Sequence, residues 1–362
     1  MLIQCTKKLL EELKIEPVLV NTSEPALFSW HANLITVNRK KTVVLVNDSN
    51  HYVIVLYGIQ ARNFKNLDEL IIFSIRETLL AECMKPELVE NFTQHSPVVT
   101  YAKTKDRSSV AKMNKACEMV YWHADELQSN MVIQSSVNRR VSTHLVGIGK
   151  GAYKHPNECL YKDLENFTGT SIFDCQAVEL MITLELTDYK VWRKVVVPLH
   201  FTFLQLHHIL QILFTWQDCH LHDFNVIDKD KAITNIVCGE DAFEYPKDIP
   251  MIKEADCKLS EYIPKYLTIQ YTYDFGDEWR HWIEVGNVIE SYPHNYSVCV
   301  EGEGNAPPED VGGEPGYYDF LEIIADPKHP DHKEMINWSQ MQGYQDFNIE
   351  LINHKLKGYG NL

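Results

Sequence analysis

The sequence predicts an α+β protein with two domains. Segments that alternate apolar and polar residues follow one another through short turns, which favours antiparallel pairing of neighbouring strands. Helical spacing of apolar residues occurs between groups of strands rather than after every strand, which argues against a doubly wound parallel sheet. At 362 residues, of which 45% are hydrophobic, the chain is long enough to form two separate cores.

The first domain is predicted to be an antiparallel meander with helices packed on it. A short strand covers residues 2–5, and Thr6 begins a helix that runs to Lys14. A capping-box pattern at Asn66 opens an amphipathic helix, and packing it on the meander would bury the apolar faces of both. The remaining strand patterns lie at residues 31–38, 42–46, 51–59 and 98–103.

The second domain is predicted to be a larger antiparallel sheet that ends in helices. Two strand patterns lead into an apolar helix that follows Thr202, and three further strands precede two terminal helices. The strands lie at 177–186, 191–197, 221–227, 267–273 and 279–289, and the helices at 317–325 and 332–341. We predict domains at 1–146 and 175–341, a Gly-containing linker at 147–174 and a polar tail at 342–362.

The net charge of −16 is unevenly distributed. Residues 1–150 hold 18 Lys and Arg against 15 Asp and Glu, whereas residues 151–362 hold 16 against 35. The acidic second half would repel nucleic-acid phosphates unless cations or a partner bridged them, so we expect a protein rather than a nucleic acid as its partner. The first half has small basic clusters at Arg39-Lys40-Lys41 and Arg139-Arg140, which are typical of a solvated turn and a solvated helix end.

Cysteine usage and hydropathy bear on the compartment. The nine cysteines are an odd number without a Cys-x-x-Cys pair, which indicates reduced thiols rather than a disulfide framework or a zinc ribbon. No apolar run approaches the roughly eighteen residues that span a bilayer, and the first residues do not form a signal peptide. We therefore expect a cytoplasmic protein without a membrane partner.

Three polar segments of the second half are candidates for chemistry. The first contains His220 and His222, which strand periodicity places on one face as a possible metal or acid/base pair, with an exposed polar face as the alternative. The second contains Asp274, Asp277 and His281 at or beyond a turn made by Gly276; Asp274 has a turn-forming role as its alternative.

The third segment, residues 301–316, presents Glu309 and Asp310 together after Pro307-Pro308. It is too acidic to cradle phosphate and lacks the Gly-Lys-Ser/Thr ending of a P-loop, so it is either structural or faces a cation. Carboxylates and imidazoles in one domain permit a divalent-metal site. Its predicted ligands are His220, His222, Asp274, Asp277 and Glu309.

Four motifs of the second half resemble the plasmid pRiA4b third-open-reading-frame family. They are Val191-Trp-Arg193, Trp216-x-Asp-x-His-Leu-His222, Tyr271-x-Tyr-Asp-Phe-Gly-Asp-x-Trp-x-His281 and Pro307-Pro-Glu-Asp-x-Gly-Gly313. That family includes insertion-element passengers labelled TnpR and has no established activity. The resemblance implies a roll-like α+β domain whose polar positions, His220, His222, Asp274, Asp277, His281, Glu309 and Asp310, lie near one another.

The resemblance also has one departure and one extension. Family members commonly have one cysteine directly before the Pro-Pro-Glu-Asp run and another upstream. This chain has Cys299 but Ala306 directly before the run, which argues against a metal or redox role that needs both thiols. Residues 1 to about 125 resemble an uncharacterised prokaryotic domain family through Leu27-Phe-Ser-Trp-His-Ala-Asn33 and two shorter motifs. No activity accompanies that second resemblance.

Three functional hypotheses follow. The first is a non-enzymatic interaction protein that binds a basic partner, since no Gly-x-Ser-x-Gly, His-Glu-x-x-His or Gly-x-Gly-x-x-Gly motif occurs. The alternative is a divalent-metal-dependent hydrolase that uses the polar cluster. The third is mobile-element DNA handling by the slightly basic first half.

Overall fold

The computed structural model describes residues 1–19, 24–104, 106–149, 151–244 and 246–360. Lys150 of the predicted linker and the last two residues of the predicted tail lie outside these ranges. The described chain divides into two compact units, one ending at Asp174 and the other running from Cys175 to Gly360. The two-domain α+β organisation that the sequence predicts is confirmed.

The first unit contains a five-stranded sheet and a small two-stranded ribbon. The five strands have the order β4-β3-β2-β1-β5, in which β1 lies parallel to both of its neighbours and the other pairs are antiparallel. The strands of the unit are β1 (Leu2–Cys5), β2 (Ser29–Val37), β3 (Lys40–Asn47), β4 (Val53–Tyr57), β5 (Thr100–Lys103), β6 (Val146–Gly149) and β7 (Ala152–Lys154).

Helices cover both faces of that sheet. Ile71 and Leu79 pack in a core on one face, whereas Met113 and Val120 pack in a second core on the other. Burial on both faces explains why residues 43–46 form an uninterrupted apolar run. The helices of the unit are α1 (Lys7–Leu13), α2 (Ala61–Lys65), α3 (Leu67–Ala81), α4 (Pro86–His95), α5 (Arg107–Trp122), α6 (Ser135–Ser142) and α7 (Pro156–Thr168).

The predicted linker at 147–174 is instead part of the first unit. Helix α7 occupies its centre, and Leu160 and Leu164 on that helix are buried in the core that also holds Ile71. The prediction was wrong because the Gly and Asn residues around α7 hide the apolar spacing inside it. Gly169, with φ +71°, ends α7 in the left-handed conformation that favours glycine, so it is a helix stop rather than a sign of disorder.

The second unit is built on an eight-stranded sheet of order β12-β11-β10-β13-β14-β8-β9-β15. Every pair is antiparallel except β11 with β12. Sequence reasoning missed β11, β12 and β15. The strands are β8 (Cys175–Leu184), β9 (Val191–Pro198), β10 (His222–Asp228), β11 (Lys231–Val237), β12 (Met251–Lys253), β13 (Thr268–Tyr273), β14 (Trp279–Tyr292) and β15 (Val298–Glu303).

The α-helices that the structure describes beside this sheet are α8 (Phe203–Phe214), α9 (Gly313–Ala325), α10 (His332–Met341) and α11 (Ile349–Gly360). Thr202 caps α8 through a capping box with Gln205, and the apolar stripe of α8 lies in the core with the inward side chains of the strands. The predicted polar tail is wrong for residues 349–360, since Ile352 and Leu356 of α11 are buried in the same core.

Candidate functional site

Polar residues from three separate segments of the second unit meet around His220. The Nε2 atom of His220 lies 3.0 Å from Asp310 Oδ1, 3.6 Å from Asp274 Oδ2 and 3.7 Å from Glu309 Oε1. His220 precedes β10, Asp274 follows β13, and Glu309 and Asp310 precede α9. We call His220, Asp274, Glu309 and Asp310 the His220 cluster. Within this cluster, His220, Asp274 and Asp310 offer one nitrogen and two carboxylate oxygens that lie close enough together to be able to hold a metal ion.

Local backbone geometry aims two of these carboxylates. Asp274 and Asp310 have φ values of +53° and +56°, a left-handed conformation that Asp tolerates better than most residues. Asp274 Oδ1 accepts a hydrogen bond from Gly276 N at 2.9 Å, as in an Asx turn. The other oxygen of Asp274 therefore remains directed at His220. The turn-forming role and the candidate site role belong to the same side chain.

Glu309 is the buried member of the cluster, with only 3% of its surface exposed. Its Oε1 accepts a hydrogen bond from the Tyr273 hydroxyl at 2.5 Å, and its Oε2 accepts one from Gln217 N at 3.0 Å. Burial, followed by the adjacent Glu309 carboxylate, raises the pKa of Tyr273, so this hydroxyl keeps its proton at neutral pH. Two donors thus fix Glu309 in place, and sequence reasoning did not identify Tyr273 as part of the site.

Asp277 lies outside the cluster. Its Oδ2 accepts a hydrogen bond from Gly312 N at 3.1 Å, which ties the β13–β14 turn to the loop before α9. Gly313 allows this close approach, because a Cβ at that position would lie only 3.2 Å from Asp277 O. Its φ of +70° also favours glycine. Asp277 therefore holds two of the three segments together, and it is not among the carboxylates that lie within ion-pair distance of His220 in the described residues.

His222 also lies outside the cluster, contrary to the predicted pairing with His220. Strand β10 begins at His222, so the period-two alternation of a strand does not extend back to His220. His222 is buried, its Nε2 lies 2.8 Å from Glu254 Oε2, and its ring stacks on His207 with centroids 3.4 Å apart. Of the five metal ligands predicted from the sequence, His222 and Asp277 therefore do not lie in the His220 cluster.

His281 is a core residue rather than a site residue. It is the third residue of β14 and shares the inward face of that strand with Trp279 and Ile283. Its ring lies fully buried beside Phe214 and Trp216, with centroids 4.5 and 5.2 Å away. Burial lowers the pKa of His281 to about 3, so the imidazole is neutral at physiological pH.

A second polar group, which the sequence did not reveal, lies behind the His220 cluster. Gln211 Oε1 accepts from Asp218 N at 2.9 Å, and Gln211 Nε2 donates to the Tyr271 oxygen at 3.2 Å. The Tyr271 hydroxyl therefore donates to His207 Nδ1 at 2.8 Å, and His207 Nε2 donates to Asp218 Oδ1 at 2.7 Å.

This group is a closed ring of hydrogen bonds. Each of its donors has an acceptor without any added ion, although His208 also approaches Asp218 at 3.6 Å. Burial, and then the stacked His222, lower the pKa of His207 to about 3, which keeps the imidazole neutral. His207 escaped sequence analysis because it lies within the apolar stripe of α8, where nothing marks it as a hydrogen-bonding residue. We interpret the ring as structural.

A cleft of about 690 Å³ adjoins the His220 cluster, and Asp310 belongs to both. Its lining includes four carboxylates and no Lys, Arg or His side chain. We call it the acidic cleft. Its other lining residues are mostly apolar, including Val311, Ile323 and Met335, with Phe320 and Trp338 in edge-to-face contact at 6.2 Å. The four carboxylates are those of Asp310, Asp319, Asp331 and Glu334.

Comparisons with known proteins agree with both sequence resemblances. Residues 176–355 match the model of the plasmid pRiA4b ORF-3-like protein family, and residues 2–159 match that of a domain of unknown function, DUF6933. An uncharacterized protein y4hQ of Sinorhizobium fredii (strain NBRC 101917 / NGR234) is 30% identical over 167 residues, which cover 46% of this chain and 82% of that protein.

Similarity to a solved structure also covers part of the chain. The crystal structure of a protein of unknown function, MM3350 from Methanosarcina mazei Go1, shares 29% identity and covers 46% of this chain and 90% of its own, with a TM-score of 0.40. None of these descriptions names a reaction or a ligand. Among the helices that the structure describes, none combines the length and the apolar character needed to cross a membrane.

Proposed function

The chain belongs, through residues 176–355, to the plasmid pRiA4b ORF-3-like protein family, and we propose that this unit is a non-enzymatic interaction module that binds a basic segment of a partner protein. The observation that carries the proposal is the composition of the acidic cleft. Four carboxylates surround an apolar floor without one basic side chain in the lining. A segment that carries Lys or Arg next to apolar residues matches both features.

Two of the four carboxylates of the cleft are available to a ligand, whereas Asp310 lies 3.0 Å from His220 and Asp331 lies 4.0 Å from His329. Asp319 and Glu334 are exposed, and neither has an ion-pair partner among the described residues. The half-buried Trp338 lines the cleft, so its ring offers a surface on which the aliphatic stem of an Arg or Lys could pack, with the cation gaining from the aromatic ring. An acidic surface repels phosphates, which favours a protein over a nucleic acid as the partner of this unit.

Two further features are part of this proposal. The nine cysteines are an odd number without a Cys-x-x-Cys pair, which supports reduced thiols and a reducing compartment such as the cytoplasm. The family description names a plasmid, which supports an association with mobile elements. Neither feature identifies the partner, so the experiment uses a defined probe.

The test is binding of a fluorescein-labelled decapeptide of alternating Arg and Leu, with a Glu/Leu peptide as the negative probe. Fluorescence anisotropy should show salt-sensitive binding of the Arg/Leu peptide alone. The double variant Asp319→Asn with Glu334→Gln should bind about tenfold more weakly, because two cleft charges are lost. The matched control, Asp228→Asn with Glu244→Gln, removes two exposed acids outside the cleft lining. Equal losses in both variants, or no binding, would reject the proposal.

A divalent-metal-dependent hydrolase is the second candidate, and the His220 cluster favours it. Two ligands about 2.1 Å from one ion at tetrahedral or right angles lie roughly 3.0–3.4 Å apart. The three distances from His220 Nε2 to carboxylate oxygens, 3.0, 3.6 and 3.7 Å, lie close to that spacing. His220, Asp274 and Asp310 would hold the ion, and Glu309 would lie beside it. A bound ion would supply an activated water next to the acidic cleft.

Titration calorimetry with Mn²⁺ and Zn²⁺ separates the two candidates. If the His220 cluster binds a metal ion, the wild-type protein should show one binding site for it. His220→Ala and Asp310→Asn should each abolish this binding, and Asp228→Asn should leave it unchanged. If no variant changes the heat of titration, the site is not a metal site. The peptide experiment is performed in the presence of a chelator, so its outcome does not depend on a bound metal.

A further inference from the structure

The first unit contains a pocket of about 440 Å³ whose charged lining is entirely positive. Arg39, Lys40, Lys41 and Arg62 line it, and no Asp or Glu does; we call it the basic pocket. From this lining we propose that the basic pocket is a binding site for a small phosphorylated molecule. It lies in a different unit from the acidic cleft, so the two proposals stand or fall separately.

The positive charge of the pocket is largely uncompensated. Lys41 pairs with Glu12, which lies outside the lining, at 2.7 Å. For Arg39, Lys40 and Arg62, no carboxylate of the described residues lies within ion-pair distance. Arg39, Arg62 and Lys40, whose ammonium lies 5.1 Å from the centre of the Tyr57 ring, line one cavity, so an anion bound there would offset the repulsion between their charges. Guanidinium groups match the geometry of phosphate oxygens particularly well.

The backbone of Arg39 provides an independent observation. Asn38 and Arg39 form the two-residue turn between β2 and β3, with φ values of +45° and +63°. Hairpin turns with positive φ at both positions favour Asn followed by Gly. An Arg in the second position is strained, and strain of this kind often marks a functional residue. The interpretation of residues 39–41 as a merely solvated turn does not account for this choice.

The remaining lining suits an organic phosphate. Met131 keeps half of its surface exposed, at 50%, and forms an apolar wall with Val132. Asn130 and Ser129 add polar side chains to the same lining. A volume of about 440 Å³ lies within the range of roughly 300–1,000 Å³ that small-molecule sites occupy. We therefore assign the phosphate to the Arg and Lys side and the less polar portion of the ligand to the Met131 side.

The test uses the full chain and tripolyphosphate as the probe, measured by titration calorimetry against chloride at equal ionic strength. Arg62→Gln should weaken binding about tenfold, since one charge-assisted contact to phosphate is lost. Arg39→Gly should weaken binding to a similar extent and melt at the same or a higher temperature, because glycine relieves the positive φ. This combination separates loss of a ligand contact from loss of folding.

The matched control is Lys8→Gln, which removes one exposed cation of the same unit outside the pocket and should retain wild-type binding. A parallel titration with ATP shows whether an organic portion adds affinity; equal affinity assigns the site to free polyphosphate. Binding that is absent, or that is equally weak in Lys8→Gln and Arg62→Gln, would overturn the proposal. The same holds if a twelve-base-pair DNA duplex binds more tightly than either probe and depends equally on Lys8, since the site would then be a nucleic-acid surface.

Discussion

His207 and His281 are buried imidazoles that the second unit keeps neutral. Burial is the main reason that both have a pKa of about 3, well below the ordinary value of 6.5. In the unfolded chain each would bind a proton as the pH falls through about 6.5, whereas in the folded chain each stays unprotonated until about pH 3. Their contribution to stability is therefore fully present above pH 6.5 and decreases as the pH falls between these values.

This linkage gives a prediction for His281→Phe. The phenyl ring occupies the aromatic site beside Phe214 and Trp216 and does not titrate. Between pH 7 and pH 5, the free energy of unfolding should fall by about 2 kcal/mol less in the variant than in the wild type. Urea unfolding at the two pH values measures the difference. The control His354→Gln replaces an exposed imidazole on α11, and equal pH dependence in all three proteins would contradict the assignment.

At the scale of elements, Arg193 fastens three parts of the second unit. This guanidinium is 98% buried, and its four hydrogen bonds go to backbone carbonyls at 2.8–3.1 Å. Burial lowers its pKa to about 10, so it remains charged at neutral pH. Its plane also faces the Phe347 ring at 4.1 Å. The acceptors are Trp192 on β9, Leu213 on α8, and Glu303 and Gly304 at the end of β15.

We expect Arg193→Lys to destabilise the second unit although the charge is retained. An ammonium group cannot reproduce the planar fork, so at least one buried carbonyl loses its donor, at about 2–3 kcal/mol. The neighbouring exchange Lys194→Arg, at a partly exposed ion pair with Glu179, should change stability by less than about 0.5 kcal/mol. Thermal denaturation of the two variants compares their stabilities. A wild-type melting temperature for Arg193→Lys would show that the guanidinium hydrogen bonds are not required for stability.

At the scale of the whole molecule, the second unit is defined by its own core. Every buried member of that core lies between Val178 and Leu356. A chain of residues 175–360 should therefore melt cooperatively, whereas a chain of residues 175–341, the domain predicted from the sequence, should not, because it lacks Ile352 and Leu356. Calorimetry of the two chains tests this boundary. Cooperative melting of the shorter chain would show that α11 is peripheral.

The sequence predicts the fold better than it predicts the site. Long alternating strands and the Thr202 capping box are local signals, and they correspond to β8, β9, β13, β14 and α8. His220, Asp274 and Asp310 come together only in the tertiary structure. Periodicity within a segment cannot predict this proximity, whereas the resemblance to a family implied it. His222 and His281 were misassigned because a polar residue on the inward face of a strand cannot be distinguished from one at a strand end by spacing alone.

Helix α11 also completes the edge of the sheet. Strand β15 is the last strand beside β9, and the Asn353 side chain donates to Cys299 O at 2.9 Å and accepts from Cys299 N at 2.7 Å. The Asn353 amide thereby makes the two hydrogen bonds with the backbone of Cys299 that a ninth strand would make at that position. An unprotected edge strand is a template for pairing with another chain. Loss of α11 would therefore leave β15 as an exposed edge strand. We expect the truncated protein to self-associate in a concentration-dependent way.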